Sequence, residues 1–327
     1  MIIENMLEKK IESKVRAFAP ASIANLFVGF DILGLSFDQI GDIVILENFK
    51  SDSKDLDIKI KVIDQKSKLP LTTISTIVEK NTAGMALLTL MQEEKIFGSI
   101  EMTIEKGIPL SSGLGGSAAS AIGAVVAANK IFQLNLSHEK CIHYALAGEY
   151  VASKGYHADN LAPSLFGGLN LIYSHNPVKI ISIPAPKLWV AIIHPHMELE
   201  TSKARGVLKE TILKTDWIAQ SQFLAGFMSA CYTNDLDLFE STLRDLIIEP
   251  QRKHLIKGFD RAKEVALEWG AMGFTISGAG PTMVGISRDQ KSAELITKKC
   301  SEVLELEFEM SSDLFVSKMD SLGARIL

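Results

Sequence analysis

The sequence predicts an α+β protein of two domains, residues 1–180 and 181–327. Three observations lead to this. A chain of 327 residues is long enough for two substantial cores. Strand-like and helix-like runs alternate through the first half, and in the second half helices mix with strands that look antiparallel. Between the halves, Pro177, Pro184 and Pro186 interrupt the pattern as a boundary would.

The elements follow in order. Residues 14–19 and 42–47 read as strands, and residues 56–62 (LDIKIKV) alternate as a half-buried strand does. Residues 76–93 read as a helix and 99–105 as a strand. A glycine loop follows, then an Ala-rich helix from about residue 118 to 132 and a second helix from about 137 to 154. Glu139 suits the first turn of that second helix, where the macrodipole favours an acid. Gly167 and Gly168 introduce a strand over 169–173. Past the prolines come a strand (188–194), helices (202–211, 217–232, 236–245 and 258–269) and a strand pair (273–277 and 282–287). A helix from residue 291 and a strand near 314–318 complete the pattern, which shows no internal repeat or low-complexity segment.

Bulk properties narrow the function. Hydrophobic residues make up 47% and charged residues 22%, as in soluble globular proteins. A net charge of −5 without a basic run argues against a nucleic-acid partner. Cys141, Cys231 and Cys300 are odd in number and far apart, which fits a reducing cytoplasm better than a disulfide framework or a cysteine metal site. The first 14 residues are charged and lack the apolar core of a signal peptide, and no apolar run is long enough to span a bilayer.

The segment from Ile108 to Ser120, IPLSSGLGGSAAS, carries the strongest chemical signal. Gly113, Gly115 and Gly116 let the backbone bend sharply and approach a ligand. The helix behind them offers unpaired N–H groups and the positive end of a dipole, a combination suited to phosphate. Ser111, Ser112, Ser117 and Ser120 add hydroxyls for phosphate oxygens or a metal ion. No Gly-Lys-Ser/Thr closes the loop, so it is not a Walker A loop. Gly113, Gly115 and Ala118 match the G-x-G-x-x-A form of the dinucleotide fingerprint, but Gln133 stands where that motif wants an acid roughly 20 positions on. A small-residue turn that merely packs a helix on a sheet is the third reading.

Other polar residues allow two readings each. Glu149 falls on an apolar helical stripe with Ile142, Ala145, Leu146 and Ala152. A carboxylate there needs a cation, either Mg2+ beside nucleotide phosphates or a structural partner such as Lys154. His157, Asp159 and Asn160 lie on a loop that either recognises a small polar substrate or is simply a polar turn. Asn25, Asp31 and Asp38 cluster in an N-terminal loop region, where polar residues commonly turn the backbone. Arg205 and Arg252 are candidates to clamp a carboxylate, or are solvated surface arginines. His194 and His196 stand two apart without further ligands nearby, which does not make a metal site.

Three ordered segments resemble the GHMP small-molecule kinases: residues 19–34 (APASIANLFVGFDILG), the loop at 109–120 and Ser277-Gly278-Ala279-Gly280-Pro281-Thr282. Residues 155–168 (GYHADNLAPSLFGG), Thr201 to Arg205 and residues 249–259 (EPQRKHLIKGF) are similar to segments of the homoserine kinase branch. The resemblance implies a two-domain GHMP fold, an N-terminal domain like ribosomal protein S5 domain 2 and a ferredoxin-like C-terminal α/β sandwich. It implies ATP and Mg2+ as cofactors and transfer of a phosphoryl group to the L-homoserine hydroxyl, in threonine biosynthesis. It also implies a homodimer. The alternatives within the superfamily are a kinase for another small alcohol and a non-catalytic ligand-binding member.

Residue by residue, the resemblance places homoserine against Asn25, Asp31, His157, Asp159, Asn160, Thr201, Arg205 and Arg252. Mg2+ falls to Ser117 and Glu149, with Ser117, Glu149 and Asn160 as the catalytic set. ATP falls to Asn81, Lys106, Pro109, Leu110, Ser111, Ser112, Gly113, Leu114, Gly115, Gly116, Ser117, Ala118 and Ala119, with Gly278 and Gly280 supporting the phosphate loop. Asn160 stands where mevalonate kinase-like members carry an Asp expected to act as base. Catalysis then rests on positioning and charge neutralisation, and log kcat is expected to show no essential group ionising with a carboxylate-like pKa between about pH 5 and 8. Two departures stand out. Phe27-Val28 replaces Gly-Pro, which is expected to make that loop bulkier, and Gly116 replaces a serine.

Overall fold

The computed structural model describes residues 13–50, 55–153, 155 and 157–327. The charged N-terminal stretch, Lys154 and Tyr156 lie outside the described residues.

The first sheet begins with β1 (Lys14–Ala24) and β2 (Leu33–Lys50), which pair antiparallel over most of their length. Both strands are longer than the sequence pattern indicates. A register shift at Pro20/Ala21 opposite Gly41 interrupts their alternation, and side chains resume the same face beyond it. The segment read as an N-terminal loop region is therefore mostly strand, with a tight left-handed turn at Asn25, Leu26 and Phe27. β3 (Leu56–Asp64) runs parallel to β4 (Gly98–Lys106), and β4 pairs antiparallel with β2. The crossover from β3 to β4 passes through α1 (Thr82–Glu93). That helix starts later than the pattern at residue 76 suggests, because the Asn81 side chain caps it by accepting from the Gly84 amide at 2.9 Å.

α2 (Gly116–Ile131) and α3 (His138–Ser153) pack with α1 on one side of this sheet. α2 is rich in alanine because its backbone lies close to the sheet: a Cβ on Gly123 would come within 2.8 Å of Val44. α4 (Leu161–Phe166), a short helix not evident from the sequence, leads into β5 (Leu169–His175). β5 pairs with β2 and with β6 (Val178–Ile183), a strand lying where the prolines suggested only a boundary.

The second sheet is antiparallel throughout, in the order β10 (Ser312–Lys318), β7 (Trp189–Pro195), β9 (Met283–Ser287), β8 (Gly273–Ile276). α9 (Phe259–Glu268) and α10 (Gln290–Phe308) cover one face, burying Ala191, Ile193, Phe274 and Ile276. The opposite face, through Val190, Ile192, Val284 and Ile286, joins a core continuous with that of the first sheet. α6 (Lys214–Thr233) and α7 (Leu236–Thr242) add Phe227 and Phe239 to this core. α5 (Thr201–Gly206) and α8 (Glu249–Arg252) are single short turns of helix where the pattern indicated a longer helix and none, respectively. The chain finally returns to the first sheet as β11 (Arg325–Ile326), antiparallel to β1. No helix among the described residues is long and apolar enough to cross a membrane.

β2 passes directly under the loop that carries His157, Asp159 and Asn160. A Cβ on Gly34 would lie 1.8 Å from the Asp159 carbonyl oxygen, so this position requires glycine. Gly34→Ala is expected to destabilise the fold by about 1–3 kcal/mol through overpacking. Urea denaturation measures this, and an unchanged midpoint would show that the loop yields freely.

Candidate active site

A cleft of about 650 Å³ opens where the two sheets meet. At its centre the loop at 109–115 turns into α2. Ser111, Gly113 and Gly115 take positive φ values of 52°, 76° and 69°. At Gly113 this is backed by crowding, since a Cβ would stand 2.6 Å from the carbonyl oxygens of Ser277 and Gly280. The loop is thus wedged against the turn between β8 and β9. Ser277 Oγ donates to the Gly113 carbonyl at 2.8 Å, and the Thr282 amide to the Ser112 carbonyl at 3.3 Å. Gly278, with φ of 55°, packs against the Gly113 carbonyl, while Gly280 sits behind the turn and off the cleft wall.

A buried charged pair supports the loop from below. Lys106 donates to Asp42, to the Gly116 carbonyl at 2.8 Å and to Ser120 Oγ at 2.9 Å. Asp42 also accepts from the Gly107 and Ile108 amides at 3.1 and 3.3 Å and from Ser120 at 2.6 Å. Lys106, read from the sequence as a nucleotide-side residue, therefore has its three hydrogens occupied inside the protein. Asn81 lines the cleft, but it caps α1 and donates to the Ser75 carbonyl at 2.8 Å.

Pro109, Leu110, Ser111, Ser112, Gly113, Gly115, Gly116 and Ser117 all line the cleft. Leu114, Ala118 and Ala119 do not: their side chains are fully buried in the core, so they face a ligand only through backbone. Ser117 Oγ lies 3.4 Å from Glu149 Oε2, and the Glu149 side chain is nearly closed off from water. A hydroxyl and a carboxylate converging at the head of a helix form a hard oxygen pair, which fits Mg2+ beside phosphate.

The other end of the cleft gathers charge. Arg205 forms a bidentate pair with Asp31 at 2.8 and 3.1 Å, joining α5 to the turn after β1. Arg252 is buried and donates to the carbonyls of Ala204 and Gly278, each at 3.0 Å. Phe30, part of the N-terminal motif but given no role from the sequence, lies beneath both guanidinium groups, whose carbons are 5.7 and 5.0 Å from its ring centroid. Asn25 donates to the Gly278 carbonyl at 2.9 Å and accepts from the Asp31 amide at 3.0 Å. His157 Nδ1 stands 3.8 Å from Asp31, while Asp159, Asn160 and Thr201 close the wall. Phe27 and Val28 point into the core and neither lines the cleft, so the expected bulk does not reach it. Asp38 sits on β2, 3.7 Å from Arg325. Outside the cleft, His194 bonds Thr282 at 3.1 Å and His196 bonds Ser311 at 2.9 Å.

Electrostatics at this end follow from burial. Desolvation, reinforced by the neighbouring Asp31 charge, pushes the Asp159 carboxyl up to about 7. Desolvation and the Arg205 charge lower His157, and the same two causes bring Arg252 down to about 10. Burial opposes the Arg205 charge, but its hydrogen bond to Asp31 prevails and raises its pKa. Arg205 Nε is buried without a hydrogen-bond partner among the described residues.

Comparison with known proteins places this geometry. Residues 80–168 match the GHMP kinases N terminal domain and residues 227–306 the GHMP kinases C terminal domain. The fold and cleft are those of a GHMP kinase. The homoserine kinase of Xylella fastidiosa is 42% identical over 316 residues, covering 96% of this chain and 94% of that protein. That of Chlorobaculum tepidum is 35% identical over 322 residues, covering 96% and 98%. The crystal structure of homoserine kinase from Cytophaga hutchinsonii superposes with a TM-score of 0.89 at 34% identity, over 98% of this chain and 99% of that one. Mevalonate kinase from L. major, at 15% identity and a TM-score of 0.70, shares the fold. The chain belongs to the homoserine kinase family.

The Asp159 shift sets a pH dependence of stability. Its carboxyl is harder to ionise folded than unfolded, where its ordinary value is 3.8. Its contribution is fully present below that value and is lost as pH rises to about 7. Asp159→Asn is therefore expected to flatten the decline in urea midpoint between about pH 4 and 7. An unchanged slope would place the ionisation elsewhere.

Proposed function

We propose that this chain is an ATP:L-homoserine phosphotransferase that makes O-phospho-L-homoserine. The observation that carries the reading is the adjacency of two subsites in one cleft: a glycine loop heading a helix, and a charged pocket suited to the end of a free amino acid. Family membership supports the same reaction, since the relatives named above are homoserine kinases.

Homoserine carries a carboxylate and an ammonium at one end and the reacting hydroxyl at the other. Arg252 and the Nε of Arg205, which has no partner among the described residues, suit the carboxylate. A buried N–H left unpaired costs about 1–3 kcal/mol, which a ligand oxygen recovers. Asp159, once ionised, suits the ammonium, and Asp31 keeps the Arg205 fork oriented. ATP fits with its phosphates on the first turn of α2 and its base against the apolar end formed by Val62, Ile74 and Ile104. Ser117 and Glu149 are the residues to hold Mg2+, which neutralises charge on the β- and γ-phosphates when bound. The homoserine oxygen attacks the γ-phosphorus in line, the bond to the bridging oxygen breaks, and the hydroxyl proton passes to a phosphate oxygen or water. Phosphoryl transfer asks the protein mainly for alignment and charge stabilisation, so no carboxylate base is required. The reading extends to a homodimer, testable by light scattering, that works in the cytoplasm in threonine biosynthesis.

The deciding assay offers ATP with homoserine, mevalonate, galactose or shikimate and follows phosphorylated product. Preference for any acceptor but homoserine overturns the assignment. Glu149→Ala should lower turnover by orders of magnitude without unfolding the protein. Arg205→Ala and Arg252→Ala should each reduce kcat/KM for homoserine by about ten- to a hundredfold, because a charged hydrogen bond contributes about 1.5–3 kcal/mol. ATP affinity should stay near that of the unaltered protein. Loss of ATP binding with an intact homoserine KM would move these arginines to the nucleotide side.

A further inference from the structure

We infer that Ser22 is a positioning residue for the transfer step, acting through the carboxamide of Asn160; the inference rests on the phosphotransferase reading above. Ser22 lies on β1, is fully buried and does not line the cleft, whereas Asn160 does. Ser22 Oγ donates to Asn160 Oδ1 at 2.8 Å across 138 positions of sequence. The Ser22 hydroxyl therefore reaches the cleft by its hydrogen bond to Asn160, and the other route open to Ser22 is its packing against the phosphate loop.

The contact sits against the phosphate loop. A Cβ on Gly115 would stand 2.1 Å from Ser22 Oγ and 2.8 Å from Asn160 Oδ1, so the backbone that opens α2 rests on this pair. The Ser22 amide donates to the Leu114 carbonyl at 3.1 Å, fixing β1 to the loop. On the other side, the Asn160 carbonyl accepts from the Ser164 amide at 3.2 Å, and Ser164 Oγ donates to the Pro20 carbonyl at 3.0 Å. With both backbones held, the freedom left to Asn160 is rotation of its amide, whose two ends differ in kind: one accepts, the other donates. Ser22 supplies the hydrogen to Oδ1 and so turns Nδ2 away from itself. Position 160 then presents a neutral donor to the cleft, directed at oxygens that carry negative charge during transfer. That role is the opposite of a base, which would accept the substrate proton.

A double-mutant cycle tests this. Single-turnover transfer from γ-labelled ATP is measured for the unaltered protein, Ser22→Ala, Asn160→Ala and the double variant, with ATP affinity and melting temperature alongside. Ser22→Ala should slow transfer about three- to tenfold, the weight of one hydrogen bond, with ATP affinity unchanged within about twofold. In the Asn160→Ala background it should have no further effect. Effects that multiply would show that Ser22 acts by another route and overturn the inference. A second arm follows transfer by Asn160→Asp against pH. A donor role predicts activity rising as pH falls and the carboxyl gains its proton, whereas activity rising with pH would mean the position accepts a base and would also overturn it. Failure of the unaltered protein to phosphorylate homoserine refutes the functional reading separately. The cycle is then read on whichever alcohol is phosphorylated or, if none is, on hydrolysis of ATP.

Discussion

A lysine and an aspartate, both shut away from water, meet beneath the loop that runs from Ile108 to Gly115. Removing two charges from water costs several kcal/mol each unless every lone pair and hydrogen finds a partner. Here they do: Lys106 has three acceptors, and Asp42 takes hydrogens from Lys106, Ser120 and two backbone amides. The result pins the end of β4, the turn after it and the first residue of α2 to one point. The first-turn amides of α2 then stand at a set height above the sheet. Without that anchor a loop of glycines and serines has many shapes of similar energy, and the helix N-terminus would lack a defined place to receive an anion.

The loop is held from a second side as well. Hydrogen bonds from Ser277 and Thr282, together with the crowding at Gly113, join it to the turn between β8 and β9. The carbonyl of Gly278 in that same turn accepts from Asn25 and Arg252. One turn of the second sheet thereby sets the phosphate loop and one wall of the charged pocket together. The distance between the subsites is a property of the packing of the two sheets, as alignment of two reactants demands.

Much of this was legible in the chain. The glycine run, the helix behind it and the carboxylate of Glu149 on an apolar stripe obey local rules of spacing. Element boundaries were harder where a tertiary contact decides them. The long β2 was seen only from Asp42 onward, because the shift opposite Gly41 breaks its alternation. β6 was hidden by its flanking prolines, and α1 began at a cap rather than at the start of its apolar run. The site residues that escaped notice are those whose role comes from a distant neighbour. Asp42 looks like one more strand residue until Lys106 lies on it. Phe30 has no meaning without Arg205 and Arg252 above its ring. Asp159 was singled out for the substrate, but its ionisation near neutrality follows only from its burial.

The apolar core does not respect the division into two sheets. Val190, Ile192, Val284 and Ile286 from the second sheet belong to the same cluster as the residues beneath α2. The chain also crosses between the sheets twice at nearly one place, where Met319 hydrogen-bonds to Leu188. A cleft cut into a single solid body cannot gape by swinging two lobes apart, because that would expose the shared interior to water. The rim of the cleft is built of smaller pieces: the exposed Leu110, the segment around Thr73 and the short turn of α5 that carries Thr201 and Arg205. Parting the floor of this cleft would cost buried apolar surface, whereas parting its rim would not.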